Sequence, residues 1–385
     1  MRKVLLIATY DSFLNAGVEV AKNIENATVD IYIRKTKLNQ LSDRQLSNIP
    51  NEYQINYFLF NKYKQIKFEK YDVIIISVAN SVARVMISFL QKKKVTIGCN
   101  YIIISLFPGI IFGDIDSITS RIDSDILLCN NKYDTDIAKG IVTEYKLNTI
   151  VINYGFPQLQ IIKKDNFRNS IYFIDQVKTP YDKRERLYIL KQLIFLAMKF
   201  PEYNFFIKAR VKKREVTVHN NLHPFEDLLK EIENIPNNFK ITYVSTYECL
   251  KSAKLIIGIN STLLFESIAN NIPTISLKVF GIRDNFYNKY FLNSGILYTF
   301  DEIDKMLLKD KIILEINNDF LNSFITYDSS RGEDLCKIIN ERILHKKEKV
   351  LYNNQIIKFN NKKIINLSSI LKTLINIYYF FKSKI

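Results

Sequence analysis

The residues best suited to bind an anion lie in one segment, residues 255–275. An apolar run ends at Gly258, the polar turn Asn260, Ser261 and Thr262 follows, and a helical pattern then begins. Free N–H groups and the dipole at a helix N-terminus attract phosphate, and the two hydroxyls add donors. The same residue types also cap helices that bind nothing. The segment therefore predicts either a phosphate site or an ordinary N-cap.

Four further polar side chains are placed to complete a nucleotide site. Glu266 lies one turn into the predicted helix, where its carboxylate suits ribose hydroxyls. Lys208 and Arg210 leave a predicted strand at its carboxyl end and would supply countercharge to phosphate. Gln176 follows another strand, at a position where polar residues often touch a nucleotide. A turn before a capped helix is the alternative reading of Gln176.

Three titratable side chains are candidates for proton transfer. His223 precedes a helical segment and, as an imidazole, could protonate a phosphate or leaving-group oxygen. An exposed loop histidine is the alternative. Asp11 and Asp114 follow apolar runs, where a carboxylate could take a proton from a hydroxyl group. Asp11 is the first choice because Tyr10 and Ser12 flank it without a competing local partner, although either aspartate could simply cap a helix.

These candidates fall near the ends of strands in two successive α/β series. Runs rich in Val and Ile alternate with helical stretches, which is typical of parallel sheets covered on both faces. The predicted strands are residues 3–8, 28–33, 73–77, 101–105, 126–129, 149–152, 170–174, 204–207, 240–244, 255–259 and 274–276. A chain of 385 residues also favours two domains. We therefore predict two Rossmann-like domains, 1–160 and 161–345, with ligands in the cleft between them.

Composition excludes several other classes of function. The formal charge of +16 attracts polyanions, but the lysines are spread along the chain without a zinc-finger or RNP-type pattern, so no nucleic-acid partner is expected. The four cysteines lie far apart, which predicts reduced thiols in the cytoplasm and neither a disulfide framework nor a zinc site. Nothing resembles a D-x-D motif placed at a strand end in the way that metal-dependent GT-A enzymes need it, so no essential metal or other cofactor is expected.

The C-terminal residues 346–385 differ from the rest of the chain. A Lys- and Asn-rich connector leads to an apolar stretch, residues 367–381, that is flanked by lysines and is too short to span a bilayer. Such a basic amphipathic segment suits the anionic inner face of the cytoplasmic membrane, or it could pack on the body of the protein. Both interpretations stay open.

The order of two short motifs is similar to that in bacterial sialyltransferases. His223-Pro224 and the later Ser261-Thr262 match the HP and S-S/T motifs of that family. The resemblance implies that both elements engage a CMP-activated donor, with His223 on the phosphate side. The acidic D/E-D/E-G motif of the family is not matched, because residues 113–116 read Gly-Asp-Ile-Asp. The identity of the base therefore stays open between Asp11 and Asp114.

A wider set of residues resembles glycosyltransferases from bacterial surface-polysaccharide loci, over about residues 1–340. The set comprises Tyr10-Asp11-Ser12, the Phe107-Pro108-Gly109 turn, Arg121 with Asp125, Asp175-Gln176, Lys208-x-Arg210 and Ser261-Thr262 with Glu266. This resemblance implies a GT-B fold and sugar transfer. It leads us to expect an inverting, metal-independent glycosyltransferase of capsule or lipopolysaccharide synthesis.

The expected substrates are a nucleotide sugar and a glycan or glycolipid acceptor. A CMP-activated acidic sugar, either a sialic or related nonulosonic acid or Kdo, is the first choice of donor. A UDP-sugar-dependent glycosyltransferase and a sugar-nucleotide epimerase share the expected architecture and are alternatives. A non-catalytic protein that binds anionic surfaces is the alternative from another class.

Overall fold

The computed structural model describes residues 1–35, 41–163, 168–210, 212, 221–309 and 312–345. These residues form two α/β domains, each built on one parallel sheet. The predicted C-terminal extension, 346–385, lies outside the described residues. Among those described, no helix is long and apolar enough to cross a bilayer.

The first sheet has seven strands in the order β3-β2-β1-β4-β5-β6-β7. They are β1 Arg2–Ala8, β2 Ala27–Lys35, β3 Gln54–Leu59, β4 Val73–Ser77, β5 Ile102–Leu106, β6 Ile126–Cys129 and β7 Ile150–Asn153. Six of them confirm the predicted runs to within two residues at each end. The sequence analysis missed β3 because this edge strand is mostly exposed and its residues mix apolar with polar types.

In the described part of the chain, five α-helices lie between successive strands of the first sheet. They are α1 Asp11–Lys22, α2 Asp43–Leu46, α3 Asn80–Ile97, α4 Ile115–Thr119 and α5 Lys132–Glu144. Helix α1 begins soon after β1 ends and turns Phe13, Leu14 and Val18 into the protein interior. Its first residue, Asp11, is thereby fixed at the carboxyl edge of the sheet.

The second sheet has six strands in the order β10-β9-β8-β11-β12-β13. They are β8 Ser170–Ile174, β9 Asn204–Lys208, β10 Phe239–Thr242, β11 Ala253–Gly258, β12 Thr274–Leu277 and β13 Leu297–Tyr298. The helices that follow in chain order are α6 Lys183–Lys199, α7 Phe225–Leu229, α8 Thr246–Ser252, α9 Thr262–Ala269, α10 Phe300–Leu307, α11 Asn318–Phe324 and α12 Arg331–His345. The sequence analysis missed β13, which is only two residues long.

Helix α12, the last in the described part of the chain, crosses back to the first domain. Leu335 and Ile339 of α12 are buried in the same hydrophobic core as Ile102 and Ile104 of β5. The predicted second domain, 161–345, needs correction here, because α12 covers the first sheet. Helical periodicity in the sequence shows that a helix has an apolar face but not which sheet that face will cover.

A buried arginine joins the strand ends of the first domain. The Arg121 guanidinium donates hydrogen bonds to the carbonyl oxygens of Val78 and Leu106, just after β4 and at the end of β5, and to the amide oxygen of Asn80. Burial lowers the pKa of Arg121 to about 9, so the side chain stays charged at neutral pH. Asp125, which the glycosyltransferase resemblance names together with Arg121, accepts from the backbone N–H of Ile103 instead.

Two chain segments cross between the domains and are packed against each other. The Arg331 side chain donates to the carbonyl oxygens of Phe156 and Pro157 at 2.6 and 3.0 Å. Gly155 has a φ of 79°, and a Cβ added there would lie 2.6 Å from the carbonyl oxygen of Thr326. The first crossing segment therefore fits against the second only with glycine at position 155.

An aromatic side chain of the first domain inserts into the second. The Phe112 ring stacks on Tyr290 with centroids 4.7 Å apart and on Tyr287 at 5.7 Å. It also packs against Phe265 of α9 and Phe324 of α11. This apolar contact holds the two domains together at one end of the cleft.

Replacing Gly155 with alanine should destabilise the protein by about 2 to 4 kcal/mol, because the left-handed backbone and the backbone clash both penalise a Cβ. Gly140→Ala is the matched control. Gly140 lies in α5 with no atom within 4 Å of an added Cβ, so alanine should stabilise that helix by about 0.5 to 1 kcal/mol. Chemical denaturation followed by circular dichroism measures both changes. A Gly155→Ala variant as stable as the wild type would show that the crossing segments are not tightly packed.

Candidate active site

A cavity of about 1080 Å³ lies between the carboxyl ends of the two sheets. Strand order reverses between β1 and β4 in the first sheet and between β8 and β11 in the second. Loops on either side of such a reversal turn away from each other and leave a crevice where ligands bind. Nine of the predicted site residues line the cavity: Asp11, Asp114, Gln176, Lys208, Arg210, Asn260, Ser261, Thr262 and Glu266.

The loop after β8 is held by a buried ion pair. The Arg186 guanidinium lies 2.8 Å from the Asp175 carboxylate, and the two side chains are 1% and 4% exposed. Arg186 also donates to the carbonyl oxygens of Gln176 and Pro180 and stacks on Phe225. Asp175 lines the cavity, but its carboxylate is bound to Arg186, which indicates a supporting role.

The two polar loops at the reversal in the second sheet are joined to each other. The Gln176 amide donates to the Asn260 side-chain oxygen at 2.5 Å and accepts from the Asn260 backbone N–H at 3.1 Å. Both residues were predicted to bind the donor, and both line the cavity. Their mutual hydrogen bonds fix the position of the turn that leads into α9.

The start of α9 presents hydroxyl and backbone donors to the cavity. Ser261 is the N-cap residue and accepts from the backbone N–H of Leu263 at 3.3 Å. Thr262 opens the helix and faces the first domain, where a Cβ added at Gly109 would lie 2.6 Å from the threonine hydroxyl. Ser261 therefore caps the helix, as the alternative interpretation expected. Thr262 instead faces the cavity wall formed by the first domain.

Gly258 does not line the cavity. It is the last residue of β11, and a Cβ added there would lie 3.0 Å from the Leu264 side chain of α9. A donor-binding role for Gly258 therefore stays a prediction without a cavity contact. Its small size lets the helix pack closely on the strand.

Lys208 and Glu266 form a second group of opposite charges at the cavity wall. Glu266 is only 7% exposed, and burial raises the pKa of its carboxyl to about 7, although the positive charge of Lys208 acts to lower it. Burial likewise lowers the pKa of Lys208. Both side chains line the cavity, so a ligand bound there would lie against them.

The first domain contributes one face of α1. Asp11, Ser12 and Asn15 lie within about one helical turn of each other and line the cavity. The Asn15 amide oxygen is buried and has no hydrogen-bond partner among the described residues. Asp11 does have a partner, because its carboxylate lies 3.4 Å from the Arg210 guanidinium. This partner is distant in sequence, so the expectation about local partners did not address it.

A buried carboxylate shapes the loop that carries Asp114. The Asp134 side chain accepts from the backbone N–H groups of Gly113 and Ile111 at 2.7 and 3.3 Å. Asp114 itself is the N-cap of α4 and accepts from the Ser117 backbone N–H at 2.8 Å. The capping alternative therefore holds for Asp114, which still lines the cavity.

His223 is half-buried just before α7 and does not line the cavity. The prediction that it faces a leaving phosphate finds no contact in this arrangement, since the residue lies beyond the loop that follows β9. Within the described part of the chain, no group of three or more His, Cys, Asp or Glu side chains could hold a metal ion. The absence of an essential metal stays a prediction.

Several cavity residues were missed by the sequence analysis. They are Asn15, Phe112, Lys178, Tyr181, Thr246, Asn285 and Tyr287. Asn15 could have been found from its spacing of four residues after Asp11, which places both on one helix face. Tyr287 has a φ of 54° between two short 3₁₀ segments, a conformation that no local pattern in the sequence indicates.

Solved structures share this architecture at low sequence identity. S. aureus MnaA, in a co-structure with UDP, superposes with a TM-score of 0.60 at 12% identity, over 91% of this chain and 99% of its own. The Methanocaldococcus jannaschii UDP-GlcNAc 2-epimerase, in complex with UDP-GlcNAc and UDP, gives 0.56 at 15% identity, over 88% and 99%. A variant of the wall teichoic acid polymerase TagF soaked with CDPG gives 0.54 at 12%, over 90% of each chain.

At these identities the similarity shows the fold alone, and it confirms the predicted GT-B-like pair of Rossmann domains. No curated protein matches the chain in sequence. A family profile, by contrast, covers most of it, residues 4–311. The chain therefore belongs to the family described as "Putative glycosyltransferase (DUF6716)".

Proposed function

We propose that this protein transfers a sugar, with inversion, from a nucleotide-activated donor to an acceptor hydroxyl in the cleft between its domains. One observation carries the proposal. A single cavity brings the start of α9, Lys208 and Arg210 from the second domain to the same space as Asp11 from the first. Anion-binding groups on one wall and a carboxylate on the other are what such a transfer needs.

The second domain offers the groups that a nucleotide requires. The donor phosphate would lie at the N-terminus of α9, where Thr262 and free backbone N–H groups add donors to the charges of Lys208 and Arg210. Glu266, protonated below about pH 7, would accept hydrogen bonds from ribose hydroxyls through its carbonyl oxygen, whereas its ionised form would add a negative charge to the cavity that holds the phosphate. Thr262, Lys208 and Arg210 would also stabilise the negative charge that grows on the phosphate as the glycosidic bond breaks.

The first domain offers the groups that an acceptor requires. In the proposed step the Asp11 carboxylate takes the proton of the acceptor hydroxyl while the hydroxyl oxygen bonds to the anomeric carbon. The bond between that carbon and the phosphate breaks, and the nucleotide leaves with its electron pair. The unpartnered Asn15 amide oxygen would accept a second hydrogen bond from the acceptor and orient it. Asp114 is the second candidate base, and its role as a helix cap ranks it below Asp11.

The identity of the nucleotide is a finer proposal. The CMP-activated acidic sugar rests on the order of His223-Pro224 and Ser261-Thr262, of which only the second pair lines the cavity. MnaA and TagF were solved with UDP and CDPG, which supports a nucleoside diphosphate donor. CMP, CDP, UDP and GDP should therefore be compared directly. Conversion of UDP-GlcNAc to an epimer without any acceptor would instead favour the epimerase alternative.

We expect one of these four nucleotides to raise the melting temperature of the wild type, because a ligand at about 100 times its Kd stabilises a protein by roughly 2.7 kcal/mol. The double variant Ser261→Ala, Thr262→Ala should lose most of this shift. Thr299→Ala is the matched control, since Thr299 caps α10 and does not line the cavity. If the double variant keeps the full ligand-induced shift, these two hydroxyls serve only as a helix cap.

Asp11→Asn should reduce transfer about 10²- to 10⁴-fold, the usual cost of losing a general base, while slow hydrolysis of the donor continues. Both rates are measured on one preparation, with and without acceptor. Asp114→Asn is the comparison, and we expect it to lose stability but keep most of its activity. The ranking of the two carboxylates is reversed if Asp114→Asn loses transfer and Asp11→Asn retains it.

Nucleotide binding should weaken as the pH rises from 6 to 8. The Glu266 carboxyl, with its pKa raised to about 7, loses its proton over this range and adds a negative charge to the cavity. The expected loss of affinity is on the order of 1 kcal/mol, or about fivefold. Glu266→Gln should remove the loss of affinity that comes from ionisation of Glu266. The difference between the wild-type and variant pH profiles then separates this loss from the effect of ionisation of the nucleotide. If nucleotide affinity changes with pH in the same way in the wild type and in Glu266→Gln, a group other than Glu266 causes the change.

A further inference from the structure

One ion pair joins the two walls of the cavity. The Arg210 guanidinium, just after β9 in the second domain, lies 3.4 Å from the carboxylate of Asp11, the first residue of α1 in the first domain. The side chains are 42% and 15% exposed, and both line the cavity. The pair thus unites the residue proposed as base with one proposed to bind the donor phosphate.

The two walls also meet where Gly109 of the first domain leaves no room for a Cβ beside the Thr262 hydroxyl. Thr262, Asp11 and Arg210 line one cavity, so a phosphate bound at α9 would share that cavity with the ion pair. Arg210 also lies close enough to Asp175 to affect its ionisation. Among the described residues, its contact with a carboxylate is the one with Asp11, and a donor phosphate must displace or join that partner.

We propose that Arg210 exchanges partners when the donor binds. Without donor it holds the Asp11 carboxylate; the donor phosphate then draws the guanidinium away and leaves Asp11 free to accept the proton of the acceptor hydroxyl. A guanidinium forms two parallel hydrogen bonds with phosphate, whereas the Asp11 contact is a single one at 3.4 Å. The inference rests on the proposed function and adds a coupling between its two substrate sites.

The exchange implies that the donor and the acceptor bind in a fixed order. Before the donor arrives, a carboxylate oxygen of Asp11 is engaged by Arg210 and unavailable to an acceptor hydroxyl. Afterwards the same oxygen faces the cavity without that partner. Productive acceptor binding should therefore follow donor binding, and Arg210 acts as a positioning residue for the base as well as a ligand for phosphate.

A double-mutant cycle on Asp11 and Arg210 tests the exchange. The affinities of CMP, CDP, UDP and GDP are measured by titration calorimetry for the wild type, Asp11→Asn, Arg210→Gln and the double variant. Because Asp11 competes for Arg210, Asp11→Asn should bind the nucleotide about two- to fivefold more tightly than the wild type, as expected for a partly exposed ion pair. In the Arg210→Gln background the same substitution should give no gain.

A control variant separates the exchange from the general effect of charge. Asp114→Asn removes the same charge from the same cavity, but Asp114 accepts from the Ser117 backbone rather than from Arg210, so its gain should be smaller. An equal gain from Asp114→Asn, an equal gain in both Arg210 backgrounds, or no gain from Asp11→Asn would each overturn the exchange. If Asp11→Asn does not fold, Asp11→Ser takes its place in the cycle, since serine also suits the start of a helix.

The cycle also distinguishes this inference from the proposed function. A wild-type protein that binds none of the four nucleotides contradicts the proposed function itself. A wild type that binds one of them with the same affinity as Asp11→Asn contradicts only the exchange.

Discussion

The reversal of strand order in a parallel sheet is the constraint on which this structure depends. At each reversal two neighbouring strands send their loops in opposite directions, and polar groups at the strand ends are left facing a crevice. In the second domain that crevice lies between β8 and β11, and the hydrogen bonds between Gln176 and Asn260 span it. In the first domain it lies between β1 and β4, next to Asp11. Because the crevices face each other, one cavity receives residues from both sheets.

Each domain uses a buried arginine to hold the loops around its reversal. Arg121 binds carbonyl oxygens beyond β4 and β5, and Arg186 does the same for the loop after β8 while pairing with Asp175. A planar guanidinium suits this task because its donors point in several fixed directions at once. Burying such a charge is costly unless its hydrogen bonds are satisfied, so both sites demand a well-defined loop conformation. The cavity walls thereby keep their shape without a ligand.

Much of the fold could be predicted from the sequence because buried parallel strands are continuous apolar runs, as in β1 and β11. The rule that ligands meet strand carboxyl ends then placed Asp11, Lys208 and Thr262 at the cavity. Prediction failed where burial depends on distant partners: the edge strand β3 lacks the apolar signal, and α12 carries no mark of the sheet it covers. The role predicted for His223-Pro224 stays a prediction, since a two-residue match does not tell which way a loop turns and His223 does not line the cavity. Asp11 illustrates the remaining limit, because its partner Arg210 is 199 residues away.

The return of α12 to the first sheet has a consequence for how the chain is made. Synthesis delivers β1 to β7 first, yet Leu335 and Ile339, which complete that core, emerge only after the entire second domain. Until these residues are made, part of the apolar face of the first sheet has no helix to cover it, whereas the second domain has all its strands once β13 is made. Folding should therefore finish when α12 packs on the sheet formed by β1 to β7. A stalled or truncated product would expose this face, so it would be a natural substrate for chaperones.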